Sequence, residues 1–290
     1  MERIIFGDNQ FFGVNHISDE KARSQSIKFK EDKTILKTID IAIEHGVNTF
    51  MCTTHDRMHN IAEMIKLNPE KYASFNIYPC LPYAHKYANS VTEYGVLGTL
   101  KQYVPGNFFG SLLKGGYAFV SKDYVSIMEL MIDAEMKMFN GLNTPVIFLQ
   151  NVITDLLLGL GMTDLLKSYY NYIINKYNAE PGFITMNMPK LLEALEKLDI
   201  YNPIICSSIN VDGFRMSGGK KMYEETLMNK EVRAIAMQVL SGGAASVNQA
   251  IEYVCTLPNV ESILFGASTY SNIHETVSLI NKYDEMEILV

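Results

Sequence analysis

Ser262-Ile263-Leu264-Phe265-Gly266-Ala267-Ser268-Thr269-Tyr270-Ser271-Asn272-Ile273-His274-Glu275-Thr276 decides the fold. A short apolar run of strand character passes through Gly266-Ala267-Ser268-Thr269, and a helical pattern opens at once. The first turn of a helix has backbone N–H groups with no partner inside the helix, and a glycine before it allows close approach. Together these features make an anion site.

Working outward, the same unit recurs along the chain. Runs of β-branched or aromatic residues bounded by turn residues predict eight strands. They are β1 at Arg3–Gly7, β2 at Asn48–Cys52, β3 at Asn76–Leu81 and β4 at Val146–Leu149. The others are β5 at Gly182–Met186, β6 at Ile204–Ser207, β7 at Ala234–Gln238 and β8 at Ser262–Phe265. Their near-continuous apolar character suits parallel strands covered on both faces. Between them apolar residues fall at helical spacing, as in Ile35, Ile39, Ala42 and Ile43, or Leu191, Leu192, Leu195 and Leu198. Gly46 is placed to end the helix before β2. Pro145, Pro181 and Pro203 each stand just before a strand, where proline stops a helix without breaking a ladder. Eight such pairs with right-handed crossovers close into an α/β (β/α)8 TIM barrel, and 290 residues suit one such domain. An open dinucleotide-binding sheet would carry a Gly-rich turn after β1, but Gly7-Asp8-Asn9-Gln10 is not G-x-G-x-x-G.

A formal charge of −7 gives no broad basic surface for nucleic acid. No apolar run reaches the roughly 18 residues of a membrane span. The opening Met-Glu-Arg-Ile-Ile-Phe enters a strand directly, so the expectation is a cytoplasmic protein without a signal peptide. Cys52, Cys80, Cys206 and Cys255 form no CxxC pair and read as reduced thiols.

Two connections are long, Asp8–Glu31 after β1 and Pro82–Lys122 after β3. Both leave the carboxyl ends of strands, the catalytic face of a barrel. The segment 82–122 is rich in tyrosine, phenylalanine and glycine. Its expected role is a lid over the mouth, a contact in a homo-oligomer, or an ordered decoration.

Polar residues just past strand ends face the substrate of a barrel. After β1 come Asp8, Asn9, Gln10, Asn15 and His16, and after β2 comes Thr53-Thr54-His55-Asp56-Arg57, the densest titratable cluster. A histidine titrates near neutrality, and a neighbouring carboxylate fixes its tautomer. Asp56 is either that neighbour or the cap of the following helix. His85 and Lys86 follow β3, Gln150 and Asn151 follow β4, and Asn187 after β5 also reads as a helix cap. After β6, Asn210 offers an amide, and Arg215, Lys220 and Lys221 near Ser217-Gly218-Gly219 either hold an anion or lie in a solvated loop. After β7 comes Ser241-Gly242-Gly243. Loops after strands 7 and 8 often build a phosphate cradle, here Gly242, Gly243, Gly266, Ala267 and Ser268. No H-x-H or H-E-x-x-H spacing points to a metal.

Phe265-Gly266-Ala267-Ser268 with Asn272-Ile273-His274-Glu275-Thr276 resembles the final strand and helix of the aldo-keto reductases. The likeness extends over Pro181–Ile280, and Gly46-Val47-Asn48-Thr49-Phe50 is similar to the strand that precedes the family's catalytic Asp and Tyr. The resemblance implies a barrel, and NADP held by its phosphate at β8. Met51 stands where the family has Asp, Asp56 where it has Tyr, Cys80 or a neighbour where it has Lys, and Gln150 where it has His. The resemblance therefore supports the fold and the phosphate site, and not ketone reduction by the usual set.

The leading expectation is an enzyme that moves a proton on a phosphorylated or nucleotide-linked small metabolite of sugar type, as an isomerase, epimerase or lyase. His55 is its acid/base, Asp56 the partner, and Gln150, Asn15 and Asn210 bind hydroxyls, with Asp8, His16 and Arg215 completing the substrate site. A divergent NADP-dependent oxidoreductase and an inert binding barrel are the alternatives.

Overall fold

The computed structural model describes residues 1–13, 19–83, 124–242 and 245–288. Eight parallel strands close a barrel in chain order, because β1 pairs with both β2 and β8. They are β1 (Ile4–Gly7), β2 (Thr49–Thr53), β3 (Asn76–Leu81), β4 (Val146–Leu149), β5 (Glu180–Thr185), β6 (Ile204–Ser208), β7 (Arg233–Met237) and β8 (Val260–Phe265). Around them stand α1 (Asp19–Lys28), α2 (Asp32–Glu44), α3 (Asp56–Lys66), α4 (Tyr124–Met136) and α5 (Asn151–Leu160). Next come α6 (Asp164–Tyr172), α7 (Met188–Glu196), α8 (Lys220–Asn229), α9 (Val247–Cys255) and α10 (Tyr270–Ile288). α1 occupies much of the long connection after β1. Beyond Tyr83, the segment expected to act as lid or interface lies outside the described residues.

Alternation along the strands divides the core in two. Ile5, Met51, Tyr78, Cys80, Val146, Phe148, Ile184, Ile204, Cys206 and Ile235 fill the lumen. Their neighbours in sequence, among them Phe6, Phe50, Ile77, Ile147, Phe183 and Ile263, pack outward under the helices. Each such burial stabilises the fold by about 1.5–3 kcal/mol. Gly182 is required by the lumen, since a Cβ there would lie 2.3 Å from Cε1 of Phe148. Gly46 has φ of 83° and turns the chain from α2 toward β2.

Pro181 departs from expectation. It lies inside β5, opposite Ile147 of β4. Glu180 donates its N–H to the carbonyl of Pro145, so the next N–H along a parallel strand would face β6. Pairing with β6 begins only at Gly182, so the missing donor of Pro181 leaves no ladder bond unmade.

The amino end of the barrel is closed by charge. Arg233 pairs with Glu261 at 2.8 Å and also with Glu180, while the amino group of Met1 reaches Glu261. Arg3 grips both oxygens of Asp284 at 2.9–3.0 Å through Nε. All four cysteines are free and buried, and burial raises every thiol above its ordinary pKa, Cys255 to about 11. They are protonated thiols and not poised nucleophiles.

Candidate active site

The carboxyl ends of the strands carry two groups of side chains. The first spans β1, β2 and β3. Asp8 follows β1 and is 7% exposed. Its Oδ2 accepts from both the N–H and the hydroxyl of Thr53, each at 2.7 Å. Burial pushes the Asp8 carboxyl above the ordinary range, and the two Thr53 bonds pull it only part of the way back.

β2 then leads through Thr54 to His55. The N-cap of α3 is His55 itself, whose Nδ1 accepts the backbone N–H of Arg57 at 3.2 Å. This corrects the reading of Asp56 as a possible cap. Asp56 is exposed in the first turn, where its charge favours the helix N-terminus. While Nδ1 accepts from Arg57, the neutral imidazole carries its proton on Nε2. The ring stacks on Phe12, with centroids 4.1 Å apart and planes 9° from parallel. Tyr83, two residues past β3, stands 6.0 Å from the His55 ring. Burial raises its phenol pKa, and the charges of Asp8 and Asp56 act in the same direction, so it is a hydrogen-bond donor at neutral pH.

Glu135 ties this group together. It comes from α4, is 2% exposed, accepts the hydroxyl of Thr54, and accepts the N–H of Tyr83 on both oxygens at 3.0 Å. Asp155 on α5 does the same one unit later, accepting from the Thr185 hydroxyl at 2.5 Å and the Met186 N–H at 3.0 Å. Neither residue was among the expected site residues. A signal for Glu135 was present, because it falls on the apolar face set by Met128 and Ile132.

The second group spans β7 and β8. Gln238, Ser241 and Gly242 all adopt left-handed backbone, with φ of 55°, 50° and 71°. Ser241 is 2% exposed, and its hydroxyl has no hydrogen-bond partner among the described residues. After β8, Gly266 is exposed, Ala267 buried and Ser268 half-buried. The Ser268 carbonyl accepts from the ammonium of Lys28 on α1, a cation that sequence reading did not assign to the site. Thr269 caps α10, its Oγ1 accepting from the N–H of Asn272 at 3.3 Å.

The remaining candidates are placed as follows. Gln150 follows β4, is buried, and donates its backbone N–H to the carbonyl of Leu81 at 3.0 Å. Asn151 opens α5, and Asn187 caps α7 by accepting from the N–H of Lys190 at 3.3 Å. Asn210 is buried and uses both ends of its amide on Phe214, at 2.9 and 2.8 Å, so it staples its own loop. Arg215 is exposed, with its guanidinium 5.3 Å from the Phe214 ring centroid. Lys220 and Lys221 lie 3.8 and 3.7 Å from Glu224 and Glu225, one turn along α8. Asn15, His16, His85, Lys86 and Gly243 lie outside the described residues. Among the described residues no three His, Cys, Asp or Glu side chains gather as a metal site, and no helix is long and apolar enough to cross a membrane. Two surface clefts of about 280 and 610 Å³ open beside Asn202 and Arg3, away from the strand exits just described.

No family model matches the chain, and no curated protein matches it in sequence. Its fold is shared with solved structures of aldo-keto reductases. One, a Pseudomonas aeruginosa protein described as an aldo-keto reductase, is 10% identical, with a TM-score of 0.57 over 97% of this chain and 90% of the other. Another is the Klebsiella pneumoniae aldo-keto reductase in complex with NADPH, 8% identical, with a TM-score of 0.54 over 97% and 86%. A third, from Brucella melitensis, is 6% identical with a TM-score of 0.50 over 88% and 90%. The chain is thus an eight-stranded α/β barrel of aldo-keto-reductase-like architecture. At these identities the likeness concerns the fold, and function rests on the site.

Proposed function

We propose that this barrel is an enzyme that moves a proton on a small phosphorylated metabolite of sugar type, by isomerase, epimerase or lyase chemistry. The observation that carries the reading is the grouping of three titratable side chains at the β1–β3 exits. Asp8 is a carboxyl whose pKa burial raises, His55 accepts the Arg57 N–H on Nδ1, and Tyr83 carries a phenol whose pKa burial raises. Groups with different environments at one site are what acid/base chemistry uses, one giving a proton while another takes it. Spacing in the sequence makes Asp56 the partner of His55, but the burial of Asp8 makes it the stronger candidate for that role.

The substrate's phosphate would lie at the β7–β8 exits. Ser241 supplies a hydroxyl, left-handed Gly242 allows close backbone approach, and Lys28 supplies positive charge beside Ser268. The test is deuterium exchange. Sugar phosphates incubated with the protein in heavy water should gain deuterium at a carbon next to a carbonyl, as read by proton NMR. No exchange in any aldose or ketose phosphate, with inorganic phosphate failing to raise the melting temperature, would overturn the reading.

One observation favours a second reading, an NADP-dependent oxidoreductase. Tyr83 places a phenol 6.0 Å from the His55 ring, which provides an acid that the aligned position Asp56 does not. Ser241, Gly242 and Lys28 would then hold the cofactor's phosphate, and the bound cofactor would supply the hydride. Titration of NADPH fluorescence separates the two readings, since absence of binding eliminates the oxidoreductase.

A further inference from the structure

Gln10 carries a second buried atom at the same rim that has no hydrogen-bond partner among the described residues. The residue is 4% exposed and sits in the short 3-10 turn Asn9–Phe11 that follows β1. Its Nε2 donates to the carbonyl of Gly7 at 2.7 Å. That bond fixes the amide, because turning it over would set Oε1 against the Gly7 carbonyl, acceptor against acceptor. Oε1 therefore faces the other way and has no hydrogen-bond partner among the described residues.

What it faces is Gly266. A Cβ built at Gly266 would lie 2.3 Å from Oε1 and 3.2 Å from Cδ of Gln10. Gly266 is not among the residues with positive φ, so its backbone is one that any residue adopts. The glycine is there for space and not for conformation. Gly266 is also exposed, and it lies between β1 and β7 in the strand order, with Ser241 on its far side. The arc thus holds a buried hydroxyl on the β7 side and a buried carbonyl oxygen on the β1 side, neither partnered among the described residues, with an exposed glycine between them.

We propose that Gln10 is a specificity-determining residue: its carbonyl accepts a hydrogen bond from a hydroxyl or N–H of the ligand, beside the phosphate held at β7–β8. This rests on the phosphate reading above and narrows it. A carbonyl oxygen repels an anionic oxygen and is satisfied by a donor. The arc therefore takes a phosphate ester with a hydroxyl next to the ester, and discriminates against one with a methyl in that place. Leaving a buried acceptor unpaired is the costly case, which sets the discrimination at about tenfold.

The experiment is calorimetry with three probes: inorganic phosphate, 2-hydroxyethyl phosphate and propyl phosphate, the last two differing by hydroxyl against methyl. Wild-type protein should bind 2-hydroxyethyl phosphate about tenfold more tightly than propyl phosphate. In Gln10→Met the ratio should fall to about one, with inorganic phosphate bound as before. Gly266→Ala, which sets a methyl against Oε1, is the second variant and should also lose the preference if Gln10→Met does not fold. A wild-type ratio near one with inorganic phosphate bound overturns the role of Gln10 and leaves the cradle standing. A preference that survives Gln10→Met overturns it equally. If none of the three probes binds, the cradle fails and this inference fails with it.

Discussion

Asp8→Asn isolates a carboxyl that the fold buries at the mouth. Both Thr53 donors go to a single oxygen, Oδ2, and the amide oxygen of asparagine can accept both. The substitution keeps shape and hydrogen bonding while removing the titration. Desolvation outweighs the Thr53 bonds, so the folded-state pKa stands above the unfolded value of about 3.9. Between those two values the native state holds a proton that the unfolded state has lost. Stability is therefore fully present below pH ~4 and falls as pH rises through the folded pKa, with a limiting slope of about 1.4 kcal/mol per pH unit. Above the folded pKa the difference levels off. Carboxyls with the opposite sign, such as Asp133 and Glu261, are lowered by their cationic partners and lose stability as pH falls. They are present in both proteins and cancel in the comparison. The assay is urea unfolding of wild type and Asp8→Asn from pH 4 to 8. The wild type should lose ground to Asp8→Asn steadily with rising pH before the two curves run parallel. A difference that is flat, or that grows in favour of the wild type as pH rises, would refute the burial argument. Deuterium exchange into substrate should be lost in Asp8→Asn at every pH.

Three further outcomes follow from the geometry. His55→Asn should stay within about 0.5 kcal/mol of wild type, because asparagine caps a helix well, while His55→Ala should lose about 1 kcal/mol in thermal melts. Both should abolish exchange, and activity in His55→Asn would remove the imidazole from the chemistry. Gly182→Ala should destabilise by about 1–3 kcal/mol in urea, since its Cβ meets the enclosed ring of Phe148, and an unchanged midpoint would contradict the lumen packing. Arg233→Met should cost no more than about 1 kcal/mol, because Glu180 and Glu261 are partly exposed. That loss should appear at neutral pH and vanish under acid, where Glu261 is protonated in both proteins.

Periodicity and turn chemistry determined most of the architecture. Eight apolar runs at the observed places, each followed by a helical pattern, leave few topologies once crossovers are right-handed, and the closed barrel follows. The strand exits were legible for the same reason, so Asp8, His55, Gln150 and Gly266 were named from position alone. The partners at those exits depended on contacts that no spacing encodes. Asp8 meets Thr53 across 45 residues, and Thr54 meets Glu135 across 81. Lys28 reaches Ser268 across 240 residues. Asn210 reads as a free amide in sequence, but its loop folds back and consumes both ends of it. Local pattern fixes which way a side chain leaves its strand or helix. Whether that side chain is then dry, charged or paired is set by what the closed ring brings beside it, and only the tertiary structure decides that.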